Sequence, residues 1–538
     1  GWARRSAAEL RLQKSRQALA SLAHGFACAG AATGQLIPLA AELEAALYAE
    51  GTDPNAPATA AERQERFRAS GNQAFEGGDH GLAVLWYTRA LYHRAAMEGK
   101  GEAVLLSNRS AALLRLGLPR EALADALASA GVDEGWPRPL VRAGQASLAL
   151  EDFKSAYQHF ARARRLQAQG GAQGGGAAAA GLSSCLARML NWDYPAAARR
   201  WARFSLDRER PPELLRVWAL SDVFFDQHGA PEWCKSLSST FFRDDVLMLA
   251  GNLADSLPSL KFALTVLKSK FRRVFYVPGN HDLWVRRVTL GSIFKGEKVK
   301  EEERTMVDSV SKLLEVLQVC DELGVEVAPA EVAAGVFVVP MFSWHDRGFM
   351  PAARRRQRAA VSDAEASIPI DGWIRWPFPG GHDDAWKFFM RMNEPALRAT
   401  LMAKKTFERL SGSEAIVLTM THFMTRPELE LDWTIPGEWN YVGCDGLDEQ
   451  IRAIGATVHV YGRACVGSQV TELEGMPYVH NYLGTPERHR PGMAPFCVFA
   501  GGQAMPRTQP SQDGGFNFQP TAVPEPEGLL RRRAFGGG

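Results

Sequence analysis

The chain has 538 residues, 46% hydrophobic and 23% charged, a length that implies about two to four domains and a composition that excludes wholesale disorder. Its 62 basic and 60 acidic residues leave a net charge of +2, so no global field favours nucleic acid or a membrane surface. No run reaches the roughly 18 apolar residues of a membrane span.

The basic run Arg354, Arg355, Arg356 and Arg358 reads as a solvated loop. Seven cysteines, no two closer than the 21 residues from Cys444 to Cys465, offer neither a zinc spacing nor a disulfide framework, which points to a reducing, cytoplasmic compartment. Membership of a large cytoskeletal assembly fits that compartment. A chain that begins Gly1-Trp2 also leaves a trimmed targeting segment open.

In chain order, residues 1–61 read as a helical leader and 62–167 as three helical repeats. Gly71, Ser110 and Gly144 come into register at intervals of 39 and 34 residues, with Ala83, Ala122 and Ala156 twelve residues later and Ala90, Ser129 and Ala163 seven beyond those. Small residues at these points let antiparallel helices cross closely, and a period of about 34 is that of the tetratricopeptide repeat. Tyr87 and Phe160 fill the adjacent inward position. Residues 168–181, built of Gln, Gly and Ala alone, read as a flexible connector. A capping helix and connector are expected over 182–212.

Short apolar runs then alternate with helical stretches over 213–500, which predicts a layered α/β domain. The Gly- and Pro-rich tail 501–538 is expected to be disordered. The predicted fold class is thus multidomain: an all-α repeat solenoid followed by a β-sandwich flanked by helices.

The repeats resemble the carboxylate-clamp class of tetratricopeptide domain. The resemblance rests on Arg-Ala-Ser-Gly-Asn (68–72), Ser-Asn-Arg-Ser-Ala-Ala (107–112) and Trp-Pro-Arg-Pro-Leu-Val-Arg (136–142). It implies a peptide-binding set of Arg68, Asn72, Asn108, Arg138 and Arg142, and a partner that is the acidic C-terminal tail of a 70- or 90-kilodalton heat-shock chaperone or of another assembly subunit. Residues four apart share a helix face, so Arg68 with Asn72 and Arg138 with Arg142 can project into one groove and bind carboxylates by charge-assisted bonds. The class usually carries Lys at the positions of Arg68 and Arg138.

In the α/β half, three strand-like runs end in Ser-Asp-Val-Phe-Phe-Asp (221–226), Gly-Asn-Leu-Ala-Asp (251–255) and Gly-Asn-His-Asp (279–282), followed by Thr-His-Phe (421–423) and Gly-Arg-Ala-Cys (462–465). Their order and spacing resemble the calcineurin-like metallophosphoesterases. Those enzymes use two divalent ions, such as manganese, iron or zinc, to activate a hydroxide and neutralise phosphate. Carried onto this chain, the resemblance leaves Asp222, Asn280 and His422 as metal-ligand remnants, with His281 and Asp282 beside them. Four ligand positions are substituted: Phe224 and Cys465 stand for imidazoles, Asn252 for the bridging carboxylate and Arg463 for a third imidazole. Asp226, His228 and Asp255 lie near enough in sequence for a shifted ligand set, and Trp344-His345-Asp346 stays unassigned.

These substitutions lead to the expectation of a pseudo-phosphoesterase: a scaffold without metals or catalysis, whose repeats bind an acidic peptide. The alternatives are a divergent metallophosphoesterase with residual hydrolysis, and a phosphate-ligand sensor.

Overall fold

The structure is a computed structural model that describes residues 2–11, 15–50, 59–93, 99–169, 176–190, 210–227, 229–285, 308–349, 373–378, 380–429, 442–464, 468–484 and 494–505. His228, Arg354, Arg355, Arg356, Arg358, Cys465 and the chain beyond residue 505 lie outside the described residues.

Three leader helices, α1 (Trp2–Arg11), α2 (Ser15–Ala29) and α3 (Ile37–Glu50), precede three helical hairpins. The hairpins are α4 (Ala60–Glu76) with α5 (His80–Tyr92), α6 (Gly99–Arg115) with α7 (Pro119–Val132), and α8 (Pro137–Ala149) with α9 (Phe153–Gln169). The start of α4 is set by a capping box: Thr59 Oγ1 accepts from Glu62 N while the Glu62 carboxylate accepts from Thr59 N, which satisfies two otherwise orphaned donors.

The small residues expected at the crossings are there and buried. Ala83, Ala122, Ala156, Ala90, Ser129 and Ala163 are all 0% exposed. Gly71 faces the Tyr87 ring and Gly144 faces Phe160, each so closely that a methyl group would overlap the ring. The leader docks on α5 through Glu44, whose carboxylate takes Arg89 Nε at 2.6 Å and lies 2.8 Å from His93 Nε2, with all three side chains buried.

Of the stretch 168–181, expected as a flexible connector, residues 170–175 lie outside the described residues, and helices flank them on both sides. Helix α9 runs to Gln169, and α10 (Ala177–Leu190) begins inside the stretch. Alanine is the strongest helix former, and Gly181 lets α10 settle on the same Phe160 ring that receives Gly144.

The α/β region contains two sheets. The first has order β11-β10-β1-β2-β3 and the second β4-β5-β6-β7-β9-β8. Its strands are β1 (Arg216–Leu220), β2 (Val246–Ala250), β3 (Arg273–Val277), β4 (Ala330–Ala333), β5 (Val336–Pro340), β6 (Ile416–Met420), β7 (Val458–Tyr461), β8 (Gln469–Leu473), β9 (Met476–His480), β10 (Phe496–Ala500) and β11 (Gln503–Ala504). β1, β2 and β3 are mutually parallel, as are β5, β6, β7 and β9. Alternate residues of both sheets, among them Val217, Met248, Phe275, Val338, Leu418 and Val460, form one core between them, the arrangement that a period of two requires of a sandwich.

The outer faces carry helices: α11 (Ala230–Ser236), α12 (Leu257–Lys268) and α13 (Ser309–Leu323) on the first sheet, α14 (His382–Ser411) and α15 (Gly446–Ala453) on the second. Because the paired strands are parallel, the loops that follow β1, β2, β3, β6 and β7 collect at one edge. The repeats join this body through α9 and α13. Tyr157 Oη donates to the buried Asp308 carboxylate at 3.0 Å, and Lys154 Nζ meets Glu315 at 2.8 Å. Asp308 also caps α13, accepting from Ser311 N at 2.7 Å. Among the described residues no helix is long and apolar enough to cross a membrane.

Candidate functional site

The five loops meet as the motif order predicts. Asp222, Phe224, Asn252 and Arg463 all have positive φ, between 47° and 68°, a region that side-chain-bearing residues occupy at a cost. The hydrogen bonds around these residues hold that strain in place. The motif glycines are needed for close approach: a Cβ on Gly251, at φ 80°, would overlap the His422 ring, and one on Gly279 would overlap the Asn252 side chain.

Asp222 is fully buried. Its Oδ1 accepts from Asn252 Nδ2 at 2.9 Å and its Oδ2 from Arg463 N at 3.1 Å. The Asn252 Oδ1 in turn accepts from His281 N at 3.0 Å. Both ends of the amide are thus engaged within the protein. Burial works to raise the Asp222 carboxyl, but the His480 imidazole, 3.8 Å away, helps hold it below its ordinary value. His422 donates from Nδ1 to Ala250 O at 2.9 Å, and its Nε2 lies 3.1 Å from Asn280 Oδ1. Burial, with the charge of Arg463 adding to it, pulls this imidazole down to about 4, so it is neutral at physiological pH.

Asp282 has a structural task. Its carboxylate accepts from the backbone N of Asn252, Leu253, Ala254 and Gly279 at 2.7 to 2.9 Å, tying the β2 and β3 loops together. Burial pushes it up to about 6 despite those donors.

A dinuclear metal centre does not fit these residues. One carboxylate, Asp222, remains where two cations need several, and both its oxygens already accept hydrogen bonds. The bridging position is a neutral amide donating toward that carboxylate. Phe224 packs edge-on against the His281 ring at 5.2 Å between centroids, and the Arg463 side chain, 6% exposed, brings a fixed positive charge.

Of the shifted set, Asp226 and Asp255 lie near each other, His228 lies outside the described residues, and the imidazole beside the two carboxylates is that of His281. Asp226, Asp255 and His281 each place one ligand atom within 4.8 Å of the others. Two carboxylates and an imidazole suit one divalent cation, although Lys312 Nζ bonds the neighbouring Asp255 and Trp284 carbonyls.

Two contributors escaped the motif reading. His480, fully buried on β9, faces Asp222. His345 stacks on His382 with ring centroids 5.3 Å apart, and burial first, then the charges of His382 and Arg463, hold it well below the usual imidazole range. Only its position at the end of β5 pointed toward this edge.

In the repeat groove, Asn72 Oδ1 accepts from Tyr87 Oη at 2.8 Å and from Asn108 Nδ2 at 3.2 Å, so the first two repeats present adjacent amides. Arg68 is held by Glu65 on its own helix. Arg138 and Arg142 line a cleft of about 360 Å³ with Trp136, Pro137, Val141, Gln145, Gln167 and Ala177, where α8 meets the end of α9 and the start of α10. Pro137 and Pro139 sit in the first turn of α8, where a missing N–H costs nothing.

No protein-family model matches the chain. An [acyl-carrier-protein] phosphodiesterase, PptH, of Mycobacterium tuberculosis is 28% identical over 179 residues, 32% of this chain and 50% of that protein. The mitochondrial import receptor subunit TOM34 of Rattus norvegicus is 35% identical over 96 residues, 17% of this chain and 31% of its own length. The chain thus joins a helical-repeat region similar to TOM34 to an α/β region similar to PptH. It spans about half the length of the first relative and under a third of the second. Solved structures similar to parts of the fusion include PptH from M. tuberculosis, at 21% identity and TM-score 0.38, covering 54% of this chain and 97% of that one. Another is the second repeat domain of human RPAP3 in complex with an HSP70 peptide, at 25% identity and TM-score 0.20, covering 23% and 97%.

Proposed function

We propose that the fusion is a non-catalytic adaptor of a reducing compartment. Its repeat groove binds an acidic C-terminal peptide, first of all the tail of a 70- or 90-kilodalton heat-shock chaperone, through Arg68, Asn72, Asn108, Arg138 and Arg142. Its phosphoesterase fold serves as a rigid scaffold. The observation that carries the non-catalytic half is Asn252 donating to Asp222 at the bridging position, because a neutral donor there cannot hold two cations. The amide pair Asn72–Asn108 on the first two repeats and the Arg138–Arg142 pair on the third support the peptide half, since neutral and charged donors suit a terminal carboxylate.

Titration with a peptide ending in Glu-Glu-Val-Asp, before and after Arg138→Glu, tests binding: saturable binding lost in the variant is expected, and no binding by the parent overturns it. Metal analysis with an aryl phosphodiester assay tests the scaffold: neither stoichiometric metal nor turnover is expected.

A second reading is a divergent phosphoesterase. The likeness to a protein named as a phosphodiesterase and the grouping of Asp226, Asp255 and His281 favour it. Metal-dependent turnover that His281→Ala abolishes would establish it and remove the adaptor reading.

A further inference from the structure

The net charge of +2 conceals a basic face on the α/β body. Because β1, β2 and β3 are parallel, their first residues collect at the edge opposite the motif loops. Arg216 opens β1, Arg243 stands shortly before β2, and Arg272 immediately precedes β3. Lys235 near the end of α11 joins them, as do Lys268 and Lys270 where α12 ends.

Contacts link these residues into one surface. Lys270 Nζ donates to Lys235 O at 3.0 Å, and Lys268 Nζ to Arg272 O at 3.2 Å. The ring of Phe271, between Lys270 and Arg272 in sequence, packs 4.8 Å from that of Phe242, which packs 4.9 Å from Phe241. The Arg216 guanidinium lies 4.4 Å from the centre of the Phe241 ring, and Lys235 Nζ 5.5 Å from that of Phe262. Asp245 answers Arg216 at 2.9 Å and is buried. Lys235, Arg243 and Lys270 form no ion pair among the described residues, and the exposed carboxylates of these segments are Glu232 and Asp244.

Two large rings stand out of this basic face: Phe241 is 48% exposed and Phe262 50%. Ser238 Oγ accepts from Phe241 N at 3.0 Å, fixing the turn that presents the first ring. Cations set around exposed aromatic rings suit the surface of an anionic bilayer, where the cations meet the headgroups and the rings enter the acyl boundary. Single-stranded nucleic acid would instead need open ring faces for its bases to stack on. Here Phe241 is already packed by Arg216, Trp218 and Phe242, and Phe262 by Lys235 and Phe225.

We propose that this face is a peripheral membrane-binding surface that docks on anionic phospholipid headgroups, with Phe241 and Phe262 as interfacial anchors. It uses neither the residues of the repeat groove nor those of the motif loops.

The test is co-sedimentation of the full chain with vesicles of phosphatidylcholine, alone or with about 30% phosphatidylserine, at about 0.1 M and 0.5 M salt. Binding to the phosphatidylserine vesicles that weakens at the higher salt, with none to phosphatidylcholine alone, is expected. Lys235→Gln, Arg243→Gln and Lys270→Gln together should weaken it about 100-fold, at about fivefold for each cation near the surface. Phe241→Ser with Phe262→Ser should weaken it about tenfold and keep the salt dependence. The single change Arg243→Gln, on an exposed loop, should cost about fivefold and carries the test if a multiple variant fails to fold. No wild-type binding to phosphatidylserine vesicles overturns the proposal. So does vesicle binding that Arg243→Gln and the triple variant leave unchanged, which places the lipid contact elsewhere. Tighter binding of a single-stranded oligonucleotide than of vesicles, lost in the cation variants and kept in the phenylalanine variant, overturns it in favour of a nucleic-acid surface.

Discussion

Asn252 Nδ2 donates to Asp222 Oδ1 at 2.9 Å in a fully buried setting. At the position where the resembled enzymes carry a bridging carboxylate, this chain has a neutral amide whose N–H donates to the neighbouring carboxylate.

Asn252→Asp therefore sets two buried carboxylates against each other with no donor between them. A loss of about 3–5 kcal/mol of stability is expected, as for a broken buried charge pair. Denaturant unfolding with and without millimolar manganese measures it. Full recovery on adding metal would show that the pocket still accepts cations despite Arg463 and Phe224.

The four backbone donors on Asp282 need an acceptor with two oxygens. Asp282→Asn supplies one oxygen and one NH2 group that faces donors, so at least one buried N–H is stranded, at about 1–3 kcal/mol each. Hydrogen exchange at Leu253 and Ala254 should accelerate more than exchange in α6.

Acidification should destabilise the α/β body. Burial lowers His422 to about 4 and His459 to about 3 from the ordinary 6.5. The unfolded chain then binds protons first as pH falls, so stability is full above 6.5 and declines below it. At pH 5 each histidine costs about 2 kcal/mol. Asp282 opposes this: raised from 3.8 to about 6, it gains its proton first in the folded state and adds about 1 kcal/mol on acidification to pH 5. Urea midpoints between pH 7 and 5 should fall, and His422→Gln should flatten the slope.

Glu44 answers two buried partners, Arg89 and His93. Glu44→Gln leaves Arg89 without its counter-charge, at about 3–5 kcal/mol. The expected signature is faster hydrogen exchange across α2 and α3 with α13 unchanged; a uniform change would place the effect elsewhere.

Tyr157 and Asp308 link the two halves across 151 residues of sequence. Tyr157→Phe removes the donor from a buried carboxylate, at about 1–3 kcal/mol. Calorimetry should show the transition broaden or split as repeats and α/β body uncouple.

The repeat register was legible in the sequence because close helix crossings admit only small residues, and Gly71, Ser110 and Gly144 announce them in any context. The loop order of the α/β half was legible for a similar reason: turns at positive φ and glycines that would overlap His422 or Asn252 leave little choice of residue. That Phe224 and Arg463 offer no metal-binding atom follows from residue type alone, wherever they sit. What needed tertiary structure were relationships between distant residues. Asn252 engages both Asp222 and the His281 backbone, His480 arrives from β9, and Asp226 and Asp255 draw near His281. Helix α10 forms from a low-complexity run because Phe160 is there to receive Gly181. Sequence patterns report constraints local to one element, whereas hydrogen bonds, packing and charge clusters depend on which elements the fold brings together.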